Sequence, residues 1–210
     1  DPAIGYISMR QTRFSEETAT EVQSGLQDLA ALGVNSLILD LRGNPGGLLS
    51  QAQQVADLFL PKGVPIVSVR ERDGRREDTK YSLKTPIAAD IPLVILIDEG
   101  SASAAEIVAG AVQDNDRGII VGNTSFGKGS VQTIFDLYEA SDSALKLTTA
   151  LYYTPSGRSI HRRGATPTIR NMSARQIGGL NLSAQAVVSS LLSAENPSAA
   201  VAALRVALDV

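Results

Sequence analysis

Apolar and polar positions along the chain alternate between short buried runs and amphipathic stretches. Residues 4–9 predict a short strand. A helix follows from Ser15, read as its N-cap, with Glu16 and Glu17 in the first turn and Gly33 closing it. Val22, Leu26 and Leu29 fall on one face of that helix. Residues 37–41 are a largely apolar run of the kind buried mid-sheet. A glycine-rich turn over 42–47 leads into a second amphipathic helix, marked by Leu48, Ala52, Val55 and Phe59 and ended by Pro61.

Residues 64–69 and 79–83 read as two strands of a hairpin around Asp73-Gly74. A second buried strand, 93–97, runs into a helix over 103–114 with Ile107 and Ala111 as its apolar markers. Residues 119–121, 131–137 and 145–153 complete the strands. This alternation predicts an α/β fold with a mainly parallel sheet, edged by the hairpin. Past residue 170 the composition shifts to alanine and serine, with helices expected over 184–194 and 198–208. The expected division is a core over 1–170 and a helical C-terminal appendage over 171–210.

Composition narrows the function only a little. Of 210 residues, 43% are apolar, enough for a sizeable core, and the charged fraction of 20% is ordinary. The net charge of -3 gives no electrostatic reason to expect nucleic acid; the basic clusters at 70–76 and Arg162-Arg163 read as solvated turns. The longest apolar run, 91–97, is far too short to span a bilayer. A start at Asp1 without a signal-peptide pattern marks a fragment or a processed form.

Candidate chemistry comes from what is missing and from two motifs. With no cysteine, a cysteine nucleophile is excluded, and a Ser-His-Asp triad would rest on His161 alone. His161 follows the Pro155-Ser156-Gly157 turn and reads as a surface residue. A serine paired with a lysine is the economical alternative: Ser103 in Gly100-Ser101-Ala102-Ser103-Ala104-Ala105-Glu106, and Lys128 in Gly127-Lys128-Gly129-Ser130-Val131-Gln132. Ser103 opens a helix straight after a buried strand, where a hydroxyl stands free and backbone N–H groups converge. Its ordinary role there is a helix cap. The small neighbours Ala102, Ala104 and Ala105 leave room for a substrate backbone.

A loop lysine is ordinarily a solvated charge. To act as a base it must lose its proton far below its free pKa of about 10.4, which burial promotes by penalising the ammonium. Apolar Phe126, Val131 and Ile134 point to burial of Lys128, and no acid lies within seven residues on either side. Gln132 can hold the amine without adding a charge. The Gly43-Asn44-Pro45-Gly46-Gly47 turn suits an anion hole, with the N–H after the candidate nucleophile, that of Ala104, as a second donor.

The segment from Gly122 to Lys128 also resembles a phosphate loop, but Gly129 stands where Ser or Thr must ligate magnesium, and 131–135 reads as a strand instead of a helix. Asp40, Asp98 and Glu99 sit at strand ends without metal-site spacing, and one histidine makes zinc improbable.

Taken together, Leu39-Asp40-Leu41-Arg42-Gly43-Asn44-Pro45-Gly46-Gly47, Asp98 to Glu106, Arg117 to Gly122, Phe126 to Gln132 and Tyr152 to Ile160 resemble the carboxy-terminal processing peptidases, or tail-specific proteases. The resemblance covers roughly residues 4–168. It implies a crotonase-like α/β core with a mixed sheet flanked by helices. It also implies a serine endopeptidase that cuts polypeptides near accessible C-terminal tails. Carried over, Ser103 is the nucleophile, Lys128 the general base and Gln132 its orienting partner; Ala104 and one of Gly46 and Gly47, with Gly46 favoured, supply the oxyanion N–H groups. No metal or organic cofactor is implied. An extracytoplasmic compartment, periplasm or thylakoid lumen, is implied, and a homo-oligomer is compatible with it. Members typically carry a PDZ domain upstream, expected here to be missing or cut away because the sequence starts on the first strand of the core, and commonly an aspartate where Thr168 stands. Two rivals are a peptide-holding module without catalysis and acyl-CoA chemistry on a similar core; the latter gives no reason for Ser103, Lys128 and Gln132 together.

Overall fold

The computed structural model describes residues 4–71, 77–89, 91–136 and 144–170. Strands β1 (Ile4–Ser8), β2 (Ser36–Asp40), β5 (Leu93–Ile97), β6 (Ile119–Gly122) and β9 (Ile169–Arg170) form one sheet in the order β1-β2-β5-β6-β9, every pairing parallel. All five positions of β2 and of β5 are buried, as expected of central strands covered on both faces. Strands β3 (Pro65–Glu71), β4 (Glu77–Tyr81), β7 (Ser130–Asp136) and β8 (Ala144–Tyr153) form a second, antiparallel sheet in the order β4-β3-β8-β7. The fold is therefore mixed α/β. The expected hairpin, β3 with β4, does not edge the parallel sheet: β3 turns its buried Ile66 and Val67 into the core and pairs with β8 instead.

Three helices accompany the sheets. Helix α1 spans Thr18–Ala31, α2 Leu49–Asp57 and α3 Ala104–Asp114. Helix α3 meets α2, β3 and β6, and its residues from Ala104 to Val112 are buried without exception. That burial explains its run of alanine, glycine and valine: a strand of each sheet and helix α2 all pack on it. A Cβ added at Gly110 would sit 2.9 Å from Thr154 Cγ2.

Several boundaries move from the sequence expectation. Ser15 is not the N-cap of α1; the helix opens at Thr18 after Glu17, and Ser15 N donates to Thr18 Oγ1 at 2.9 Å in the preceding turn. Past α2 the chain stays tightly packed, with Phe59 and Leu60 fully buried ahead of Pro61. The two-residue β9 was not expected, being too short to show a pattern. The Asp73-Gly74 turn and the two helices expected within 171–210 lie outside the described residues. Among the described residues, no helix is long and apolar enough to cross a membrane.

Candidate active site

Ser103 ends the turn between β5 and α3 with φ 55° and ψ −112°, a conformation an L-residue adopts only under constraint. The constraints are visible on both sides. Ser103 N donates to Glu106 Oε2 at 2.7 Å, and its carbonyl accepts from Ile107 N at 3.0 Å. Just before it, Ala102 N donates to Asn44 O at 2.8 Å, and the buried Ser101 hydroxyl donates to Leu41 O at 2.8 Å. The serine turn is thus hung from the end of β2.

The glycine turn following β2 packs directly against it. Gly46 has φ +85°, and a Cβ there would lie 2.5 Å from Ala102 O, 2.7 Å from Ser103 Cβ and 2.8 Å from Ala104 N. Only glycine fits. Asp98 binds the two turns together, its Oδ1 accepting from Gly43 N at 2.7 Å and Gly100 N at 2.9 Å. The fully buried Asn44 fixes the turn internally: its Nδ2 donates to Met9 O at 2.7 Å, and its Oδ1 accepts from Gly46 N at 2.9 Å. The Gly46 N–H that the family resemblance favoured for an anion hole is therefore engaged within the turn. The N–H groups of Gly47 and Ala104 have no partner among the described residues.

Lys128 reaches this region through its backbone. Glu106, fully buried on the first turn of α3, accepts from Lys128 N at 2.9 Å through the same Oε2 that holds Ser103 N. Its Oε1 accepts from Gly127 N at 2.6 Å and Ser125 Oγ at 2.5 Å. One carboxylate collects four donors and gathers the serine turn and the lysine loop. Glycines on either side of Lys128 let the loop lie flat on the 160–163 segment: a Cβ at Gly129 would meet His161 N at 2.3 Å, and Arg162 N donates to Gly127 O at 2.8 Å.

The Lys128 side chain departs from expectation. It is exposed, and so are two of the residues that pointed to its burial, Phe126 at 67% and Ile134 at 64%. The glycines flanking Lys128 are buried, but the side chains of Phe126, Lys128 and Ile134 turn outward, so apolar neighbours in sequence do not become cover in space. Gln132 is also exposed, on β7 opposite Thr148. Among the described residues, no hydrogen bond joins Ser103 Oγ to Lys128 Nζ, nor Gln132 to Lys128. His161 is half-buried, with Nδ1 buried and unpartnered, and so is not a plain surface residue. Residues 130–136 form strand β7, not the helix a phosphate loop requires.

A strained serine between a buried parallel strand and a helix, faced by a glycine turn, is the arrangement of α/β enzymes that present a nucleophile at a strand end. The sequence profile of Peptidase family S41 matches residues 3–171, and the chain belongs to that family. It is 50% identical over 173 residues to a carboxy-terminal-processing protease of Bartonella bacilliformis, covering 79% of this chain and 38% of the relative. It is 39% identical over 170 residues to the carboxy-terminal processing protease CtpA of Bacillus subtilis, covering 81% and 35% respectively. Among solved structures, a photosystem II D1 C-terminal processing protease superposes with a TM-score of 0.73 at 35% identity, over 80% of this chain and 42% of that one. The chain thus spans well under half the length of these relatives.

Proposed function

We propose that this chain carries the catalytic centre of a serine endopeptidase that cleaves polypeptides near their C-termini by a Ser-Lys dyad. The observation that carries the reading is the grip of Glu106 on both Ser103 N and Lys128 N, which ties the two candidate catalytic segments to one buried carboxylate. Neutral Lys128 takes the Ser103 hydroxyl proton as Oγ attacks the scissile carbonyl, and the C–O bond forms as the carbonyl electrons move to oxygen. The N–H groups of Ala104 and Gly47 receive that oxyanion; Gly47 is preferred to Gly46 because the Gly46 donor is held by Asn44. Loss of one such donor typically lowers turnover about 10²–10³-fold. Lys128 then protonates the leaving amine, and water hydrolyses the acyl-enzyme.

The mechanism requires Lys128 to be covered when a polypeptide is bound, since burial is what penalises an ammonium. Gln132, four residues on, orients the amine in that closed state. The exposure of Lys128 favours a second reading, a core that holds peptides and stays catalytically silent until an upstream PDZ domain or another partner closes the site. Names of relatives support tail processing, an extracytoplasmic compartment being the expected setting. Incubation of the chain with an unstructured polypeptide, with products read by mass spectrometry, tests both. Cleavage lost in Ser103→Ala and in Lys128→Ala establishes the dyad, whereas wild-type-like cleavage by either variant overturns it.

A further inference from the structure

The antiparallel sheet has two edges, and they are built differently. Strand β4 ends the sheet with Glu77, Asp78 and Lys80 in five residues, the charged dressing that keeps an edge from pairing with other chains. Strand β7 ends the other side with Ser130-Val131-Gln132-Thr133-Ile134-Phe135, uncharged until Asp136 and free of proline. Among the described residues β8 is the only strand paired with β7. Ile134 is 64% and Phe135 45% exposed. Across the hairpin Phe135 stands opposite Leu145 and Thr133 opposite Leu147, so Phe135, Leu145 and Leu147 line one face and Ile134 the other. An edge of this length and composition is an invitation to pair, left open on one side of a sheet whose other side is guarded.

Its position says what it pairs with. Strand β7 begins two residues after Lys128, and the lysine loop is tied through Glu106 to the Ser103 turn. The near end of the β7 edge therefore adjoins a loop that shares the Glu106 carboxylate with the Ser103 turn. We infer that this edge binds an extended polypeptide by main-chain pairing, adding it as a fifth strand beyond β7. The inference rests on the proposed peptidase function and deepens it. The ligand class is an unfolded segment free of proline at the pairing positions, with apolar side chains favoured at alternating places where they meet Ile134 on one face and Phe135 with Leu145 on the other. Main-chain bonds supply affinity with little demand on sequence, which suits an enzyme acting on many tails.

The test is a scan in which each backbone amide of a fluorescein-labelled, unstructured peptide rich in alanine, valine and serine is N-methylated in turn. Binding to Ser103→Ala is read by fluorescence anisotropy, and kcat/KM by cleavage with the wild-type chain. Pairing predicts a period of two, with affinity falling about tenfold at alternate amides on one side of the cleavage point and little between them. Ile134→Lys, at an exposed position, weakens the unmodified peptide to a similar extent. Losses that are uniform along the peptide, or no binding of the parent peptide, overturn the inference. So does a sedimentation shift from dimer to monomer in Ile134→Lys with peptide affinity unchanged, since the edge then belongs to a second copy. Period-two binding without any cleavage upholds the edge while removing the peptidase reading.

Discussion

Glu106 Oε2 lies 2.7 Å from Ser103 N and 2.9 Å from Lys128 N, so the two segments that carry the candidate nucleophile and base are fastened to one oxygen atom. The side chain is fully buried and takes two further donors on Oε1, from Ser125 Oγ and Gly127 N. An acceptor with two oxygens and no proton suits four donors; an amide does not, because its NH₂ would face N–H groups. Glu106→Gln is expected to destabilise the fold by about 1–3 kcal/mol, through donors left unpaired in the interior. Peptidase activity should fall by more than the loss of folded protein explains, because the relation between Ser103 and Lys128 is what the substitution loosens. Thermal denaturation and turnover per folded molecule, measured together, check this. Full activity in a destabilised Glu106→Gln would show that the clamp is structural only.

The contact of Gly46 with the serine turn sets a sharper steric test. Gly46→Ala places a methyl 2.5 Å from Ala102 O and 2.8 Å from Ala104 N in a backbone already at φ +85°, and these two neighbours are main chain that cannot swing aside. The expected loss is about 2–4 kcal/mol from crowding and backbone strain combined, with the serine displaced. Gly63 makes the control, since it has a similar φ of +91° but nothing within 4 Å of the added methyl. Gly63→Ala should cost about 1–2 kcal/mol and leave activity per folded molecule unchanged. Equal effects of the two substitutions on stability and activity would remove the packing argument.

The parts of this arrangement that are local in sequence were the parts the sequence could announce. The buried runs at β2 and β5, the helix after Ser103 and the glycine turn after Asp40 each follow from periodicity or from residue types at adjacent positions. What needed the third dimension was long-range. Glu106 was part of a recognised motif, yet nothing near Lys128 in the chain hints that its backbone will end on a carboxylate twenty-two residues earlier. The apolar neighbours of Lys128 misled for the related reason that Phe126 and Ile134 face outward. The hairpin was legible as a hairpin, but its partner strand β8 lies some eighty residues on, so its sheet was not. The N–H choice between Gly46 and Gly47 turned on one side chain, Asn44, whose direction no spacing fixes.

Asp114 offers a pH-dependent test of the 155–158 turn, which precedes the segment the lysine loop lies on. Burial works to raise its pKa, but hydrogen bonds with Thr154, Ser156 and Arg158 outweigh this and hold it below the usual carboxylate value. Its Oδ2 accepts from Ser156 N at 3.0 Å and its Oδ1 from Arg158 Nη2 at 2.5 Å, pinning the 155–158 turn to the end of α3. A lowered folded-state pKa means that the unfolded chain binds the proton more readily. The stabilisation is therefore present above the unfolded value near 3.9 and is lost as pH falls through the lower folded value. Because Arg158 is 45% exposed, its share is screened, and the total is about 1 kcal/mol. Asp114→Asn should melt about 2–4 °C lower than wild type at neutral pH, with the gap closing below about pH 4. A gap that persists unchanged into acid would mean that lost packing, not the ionised carboxylate, is responsible.

The backbone of Ser103 carries the last prediction, in which stability and function should part company. At φ 55° and ψ −112° the serine occupies a region where its Cβ is crowded, at an expected cost of about 1–3 kcal/mol. Glycine adopts the same angles freely, though it gives back part of the gain by loosening the unfolded chain, about 0.4–1 kcal/mol. Ser103→Gly should therefore raise the melting temperature, by about 2–4 °C for a net gain near 1 kcal/mol in a chain of this size, and abolish turnover. Ser103→Ala keeps the Cβ and the strain, so it should melt within about a degree of wild type on the same scale while also losing turnover. The pair separates two explanations that a single inactive variant confounds. If Ser103→Gly is no more stable than Ser103→Ala, the turn holds no strain, and the positive φ is simply where the packing of Gly46 and Glu106 lets a serine rest. If it is more stable, the fold gives up stability at Ser103 to hold a hydroxyl in place, as expected of a nucleophile.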